Sequence, residues 1–136
     1  MGIGTDGTAS NNTLDMVEET RFAALLPKGV HYNPEAVSAK TALRMSTING
    51  AKALGLNHLT GSLEPGKRAD LIVVHADASN MIPMYNEYSA IVYAANSKNI
   101  RSSMVNGKWI MLNREVMNID KEETMNAMRR ISETTV

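Results

Sequence analysis

The residues best equipped for chemistry stand together near the start of the chain, in GIGTDGTASNN, residues 2–12. Asp6 lies between small residues at what reads as a strand end. Such an aspartate commonly serves a turn by bonding its own backbone. The other reading is that flanking glycines let the backbone approach a ligand closely while Asp6 offers its carboxylate to a metal or a proton. The C-terminal ends of strands are where α/β barrels keep their catalytic groups. The polar run Thr8–Asn12 has the same two sides: it caps the helix that follows, or it lines a pocket with hydroxyl and amide groups. A helix N-terminus there would suit an anionic or carbonyl group. The histidines His31, His58 and His75 share no metal-ligand spacing; each falls in a loop or at a strand end and reads as surface imidazole. No Ser-His-Asp order, nucleophile elbow or Walker loop is present. Arg129 and Arg130 read as solvated, and Trp109 as sheet packing.

These residues belong to a chain of 136 residues, enough to bury a core, with fourteen basic and fourteen acidic side chains. A net charge of zero builds no field for nucleic acid or an anionic membrane surface. The absence of cysteine excludes disulfides and thiolate metal sites. No stretch is apolar for long enough to span a bilayer and no signal pattern opens the chain, so a cytoplasmic location is the default expectation. The ten methionines indicate an adaptable core.

The elements that must position the chemistry read as follows. Met1–Gly4 is a strand end and Thr5–Asn12 a loop. Thr13 caps a helix running to about Leu26, with Leu14, Val17, Ala24 and Leu25 inside and Glu18, Glu19 and Arg21 outside; Pro27, Lys28 and Gly29 stop it. VSAKTALRMSTINGAKALGL holds two consecutive helices, the second capped by Thr47 and ended by Gly55. Ala39, Ala42, Leu43 and Met45 face one way. Pro65-Gly66 carries the type II signature and predicts a hairpin. Asp77–Pro83 is loop and NEYSAIVYAANSKNI a short helix. RSSMVNGKWIML is a hairpin whose Asn106-Gly107 supplies a type I′ turn, and Asn113-Arg114 turns the chain again. Asp120 opens a last helix with Glu123 in a capping-box-like pair and Met125, Met128 and Ile131 as its inner stripe. One leading strand, then helices, then antiparallel strands is an awkward order for a self-contained domain: the helices look like crossovers without their sheet.

GIGTDGTASNN, TALRMSTINGAKALGL, GSLEPGKRADLIVV and SMVNGKWIM, in that order and spacing, resemble the C-terminal part of the amidohydrolase superfamily, closest to its methylthioadenosine/S-adenosylhomocysteine deaminase branch. The resemblance runs from Gly2 to about Met117. It implies an α/β fold: the last strand and helices of a metal-dependent hydrolase (β/α)8 barrel in residues 1–59, C-terminal strands of the accompanying small β-sandwich in 60–117, and a closing helix in 118–136. It implies that Asp6 is both metal ligand and catalytic proton carrier, taking a proton from the water the metal activates. Ser10, Asn11 and Asn12 then lie near the pocket mouth as substrate contacts. The cofactor implied is a divalent metal, zinc or alternatively iron, and the substrate an aminated heterocycle or nucleoside, deaminated by hydrolysis.

The histidine ligands and the glutamate acid/base that the superfamily carries on its earlier barrel strands have no counterpart here. The expectation is therefore the tail of a larger enzyme, inactive and metal-free by itself, completed by the missing N-terminal barrel portion or covered by self-association. The alternative is a non-catalytic folded fragment that acts as an assembly or binding module, since an unpaired strand and uncovered helices favour association.

Overall fold

Asp15 opens the first helix. Its Oδ1 accepts the backbone N–H groups of Val17 at 2.9 Å and Glu18 at 3.2 Å, two of the donors that every helix start leaves without intrahelical partners. Helix α1 then runs Met16–Val30 in the computed structural model, which describes residues 1–134. The cap is thus two residues later than the Thr13 expected from sequence. Thr13 instead bonds the Asn11 side chain. Leu14, expected inside, precedes the cap in a left-handed conformation and is 46% exposed; Leu25 is 44% exposed. Pro27 does not stop the helix. Its fixed φ is helical and it only withholds one N–H from the preceding turn. The chain closes the end with His31 N–H on the Pro27 carbonyl at 3.0 Å and Asn33 N–H on Lys28 at 3.1 Å.

The two consecutive helices form as expected: α2, Ala39–Met45, capped by Ser38, and α3, Ile48–Ala53. Gly55 ends α3 at φ +72°. Thr47 stands at the cap position of α3, but its hydroxyl donates back to the Leu43 carbonyl at 2.7 Å and does not cap. The expected short helix after Pro83 is α4, Glu87–Ser89, which Asn86 caps and which continues through one π-type turn, Ala90–Ala94. A 3-10 turn at Ser97–Asn99 follows.

Small side chains bring these helices together. Ala24, Ala39, Ala42 and Val92 form one buried cluster, with Val37 and Leu43 packed against it. Met81, Ala90 and Ala95 form a second, joined by Val17 and Val74. Thr20, buried in α1, shares a 2.6 Å hydrogen bond with Ser46 beyond α2. Arg21, expected to be solvated, is half-buried: its Nε donates to the Val92 carbonyl at 3.4 Å and its Nη2 to that of Ala95.

The sheet has four antiparallel strands in the order β1 (Leu71–Val74), β2 (Ile100–Val105), β3 (Lys108–Leu112) and β4 (Glu115–Val116). Asn106 and Gly107 join β2 to β3 at φ +49° and +77°, the expected type I′ turn. Asn113-Arg114 turns β3 into β4, also as expected. The Pro65-Gly66 turn is present, closed by Lys67 N–H on the Glu64 carbonyl at 3.1 Å, but it is not a hairpin. Residues 60–63 form no strand, and β1 takes β2 as its partner, with Leu71 opposite Met104. The arm before the turn packs back onto α3 instead, through Gly61. Met1–Gly4 likewise enters no ladder, because a strand exists by its partner's hydrogen bonds and no described strand runs beside it.

The last helix, α5, covers Lys121–Thr134, with Asp120 Oδ1 accepting Glu123 N–H at 2.9 Å. Its expected inner stripe is largely exposed: Met125, Met128 and Ile131 are 48%, 61% and 59% exposed. The final two residues of the segment expected to extend to 136 lie outside the described residues. No helix among the described residues is long and apolar enough to cross a membrane.

Candidate functional site

The segment carrying Asp6 is seated on α3. Gly2 approaches Gly50 so closely that a Cβ on Gly2 would stand 2.9 Å from the Gly50 Cα. Four residues on, Asp6 adopts φ +60°, a left-handed conformation that aspartate tolerates better than most residues. Its Oδ1 accepts the Gly7 N–H at 2.7 Å, and the Thr5 hydroxyl donates to its carbonyl at 3.1 Å. Asp6 therefore shapes the turn, as the plainer reading of GTDG had it, while the Oδ2 of its exposed carboxylate has no hydrogen bond among the described residues.

The polar run is anchored to the start of α1. The Gly7 carbonyl accepts N–H groups from Ser10 at 2.9 Å and Asn11 at 3.0 Å. Asn11 then uses its whole amide: Oδ1 accepts the Thr13 N–H at 3.1 Å and Nδ2 donates to Glu19 Oε1 at 2.6 Å. Ser10 and Asn12 are exposed, with side chains free of hydrogen bonds to the described residues.

A cleft of about 570 Å³ opens between α3 and the sheet, lined among others by Ile3, Leu43, Leu54, Gly61, Asp70 and Ile72. Asp6, Ser10, Asn11 and Asn12 do not line it. His31, His58 and His75 are all exposed. No group of three or more histidine, aspartate or glutamate side chains among the described residues is placed to hold a metal ion. A protein-bound metal centre typically takes about three protein ligands, so Asp6 fits such a centre as one donor and the described residues do not fit it as a whole site.

One carboxylate that sequence reasoning passed over organises the cleft. Asp70 Oδ1 accepts the Asn106 N–H at 2.6 Å, tying the β2–β3 turn to the start of β1. That backbone hydrogen bond, then one from the Thr60 side chain, holds the Asp70 carboxyl below its ordinary value of 3.8, against a smaller opposing cost of desolvation. The unfolded chain binds the proton more readily, so the stabilisation is present above the ordinary aspartate range and is lost as pH falls through the lowered value. Thermal unfolding followed from pH 7 down to pH 3 should show an acid limb that flattens in Asp70→Asn. That variant keeps an acceptor for Asn106 but cannot be protonated. Coincident acid limbs in the two proteins would remove Asp70 as the cause.

With the geometry described, the similarities can be placed. The amidohydrolase family model matches residues 1–110. A 5-methylthioadenosine/S-adenosylhomocysteine deaminase of Syntrophus aciditrophicus is 41% identical over 133 residues, which is 98% of this chain and 30% of that protein. A 5'-deoxyadenosine deaminase of Methanobrevibacter smithii is 44% identical over 98% of this chain and 31% of its own length. Among solved structures, a zinc-bound adenosine deaminase of Xanthomonas campestris matches 99% of this chain and 31% of its own at a TM-score of 0.92 and 40% identity. The chain thus spans about a third of the length of the relatives it matches.

Proposed function

This chain belongs to the amidohydrolase family, and from that membership we propose that it serves as the C-terminal portion of a metal-dependent amidohydrolase that deaminates an adenosine derivative by hydrolysis. The observation that carries the proposal is the identity of 41–44% to adenosine-derivative deaminases across nearly the whole chain. In this reading residues 1–59 supply the last barrel strand and the helices after it, residues 60–117 supply strands of the small β-sandwich, and a C-terminal helix follows from 118. Exposed apolar side chains support it: Leu26, Val30 and Ile72 are 62%, 71% and 56% exposed, and an apolar face of this kind marks surface that another segment covers.

Asp6 is the functional residue of this portion. Its carboxylate would hold one position on a divalent metal, zinc in the first place, with the other ligands supplied by the barrel portion that the longer relatives carry. When bound, such a metal supplies a nucleophilic water near neutral pH. Asp6 accepts a proton at its carboxylate and passes it to the departing amine, the task of a general base that turns general acid. Oδ1 is spent on the Gly7 N–H, which fixes the carboxylate's orientation and leaves Oδ2 for that work. Ser10 and Asn12 stand free for substrate contact, whereas Asn11 mainly holds the loop on α1.

The test is a chimaera in which this chain replaces the matching 31% of the Xanthomonas deaminase. Ammonia release from 5′-methylthioadenosine, S-adenosylhomocysteine and 5′-deoxyadenosine is expected from the chimaera and not from the 136 residues alone. A folded, zinc-loaded chimaera that deaminates none of the three would sink the deaminase reading.

A further inference from the structure

A second cleft, of about 330 Å³, is lined by His75, Lys98, Arg101, Asn113 and Arg114. It lies at the far end of the sheet from the apolar cleft and owes nothing to Asp6. Its lining brings together three permanent cations and no carboxylate. None of the three takes part in an ion pair among the described residues, where the pair found is Lys67 with Glu64.

The local backbone is built around one of these cations. The β3–β4 turn places Arg114 at φ +73°, the position that Gly107 fills at φ +77° in the neighbouring Asn106-Gly107 turn. An arginine in a left-handed conformation costs roughly 1–2 kcal/mol relative to glycine, and strain of this kind gathers where function over-determines the geometry. Here it sets the guanidinium firmly: Nη1 donates to the Ser97 carbonyl at 2.9 Å and the Ile100 carbonyl at 3.0 Å. Nε and Nη2 keep three N–H donors without acceptors among the described residues. Arg101 is set in the same way, its Nε on Asn113 Oδ1 at 2.8 Å, so both its terminal nitrogens remain unused among the described residues. The floor is rigid as well. Asn99, 3% exposed, bonds Asn80 and the His75 carbonyl and thereby locks the end of β1 to the turn that carries Lys98.

Two braced guanidinium groups with free donors, an ammonium and an amide, with no carboxylate to neutralise them, match a multiply charged oxyanion better than a single carboxylate. The chain as a whole is neutral, so this is a local device and not the edge of a general basic field. We propose that the cleft between His75, Lys98, Arg101 and Arg114 binds a phosphate group. This inference is independent of the deaminase reading.

The test follows the backbone amides of residues 97–101 and 112–115 by NMR as inorganic phosphate, and separately adenosine 5′-monophosphate, is added to the full chain. Saturable one-to-one binding that weakens with added salt is expected, because exposed cations are screened. Two variants are compared, with the amide spectrum of each checked for the native fold: Lys98→Glu, whose ammonium bonds no described residue, and Arg114→Gly, which removes the bonds to the Ser97 and Ile100 carbonyls but places at the turn the residue it prefers. Each should weaken binding by roughly tenfold or more, the scale of a lost charge-assisted hydrogen bond. Tighter binding of the nucleotide would make a nucleotide phosphate the ligand, and equal binding would make it free phosphate. Shifts that do not saturate by about 10 mM phosphate, or that survive both substitutions unchanged, overturn the proposal.

Discussion

Replacing Asp6 by Asn in the chimaera with the Xanthomonas deaminase should lower kcat by about 10²–10⁴-fold, the range that a positioned acid/base contributes. The substitution is chosen against the simplest alternative. Asp6 holds a turn at φ +60° with its Oδ1 on the Gly7 N–H at 2.7 Å. Asparagine tolerates the same backbone and presents the same carbonyl oxygen to Gly7. A residue that only shaped the turn would therefore be replaced at little loss of activity or stability. What asparagine cannot supply is the negative charge and the ability to take up a proton. The expected pattern is a fall in kcat, an unchanged unfolding midpoint of the metal-free protein, and reduced zinc retention by elemental analysis after gel filtration. Activity within about threefold of the parent would return Asp6 to the role of a turn residue and leave the family resemblance without its functional residue.

How far the sequence could be read depended on the range of the interaction concerned. Asn106-Gly107, Gly55 and Asp120 carry their signals within a few residues, and each does in the structure what its type requires. The start of α1 was misjudged within equally local chemistry. Ser10, Asn11, Asn12, Thr13 and Asp15 can all serve as caps, and only tertiary placement decides that Asn11 turns to Glu19 and leaves the amides to Asp15. Pro65-Gly66 specifies a turn but not what its arms pair with, so the supposed hairpin partner of β1 lies about thirty residues downstream in β2. Arg21 is the clearest loss. Helical periodicity puts it outside, yet the π-type turn of residues 90–94 and the residue after it, more than seventy positions later, offer it the carbonyl groups of Val92 and Ala95. For the site the division is similar. The turn that Asp6 shapes was legible through its neighbours, whereas the phosphate cleft assembles residues from 75 to 114 whose only local signature is an arginine where a type I′ turn prefers glycine.

The largest effect on stability should come from Gly61. The chain leaves the helices here and must pass α3 before reaching the sheet. It does so at φ +92°, and a Cβ built on Gly61 would stand 2.7 Å from the Ala51 Cβ and 3.0 Å from the Ile48 Cα. Neither neighbour is the far end of a flexible side chain: one is backbone, and the other is the Cβ of Ala51, which is 8% exposed. Gly61→Ala thus combines the left-handed penalty for an L-residue, roughly 1–2 kcal/mol, with overpacking of about 1–3 kcal/mol. The sum, about 3 kcal/mol, corresponds to a fall in Tm on the order of 10 °C for a domain of this size. Gly61→Val should be worse, because a branched side chain meets the same wall. Urea unfolding of the chain and of the chimaera measures both. A loss smaller than about 0.5 kcal/mol, the noise of neutral surface changes, would show that the 60–63 arm can lift off α3 without consequence. The same helix receives Gly2 at Gly50, so α3 is the block against which the Asp6 segment and the arm leading to β1 are both set. If Gly61→Ala also lowers chimaera activity beyond what its unfolded fraction explains, the displacement has travelled through α3 to Asp6.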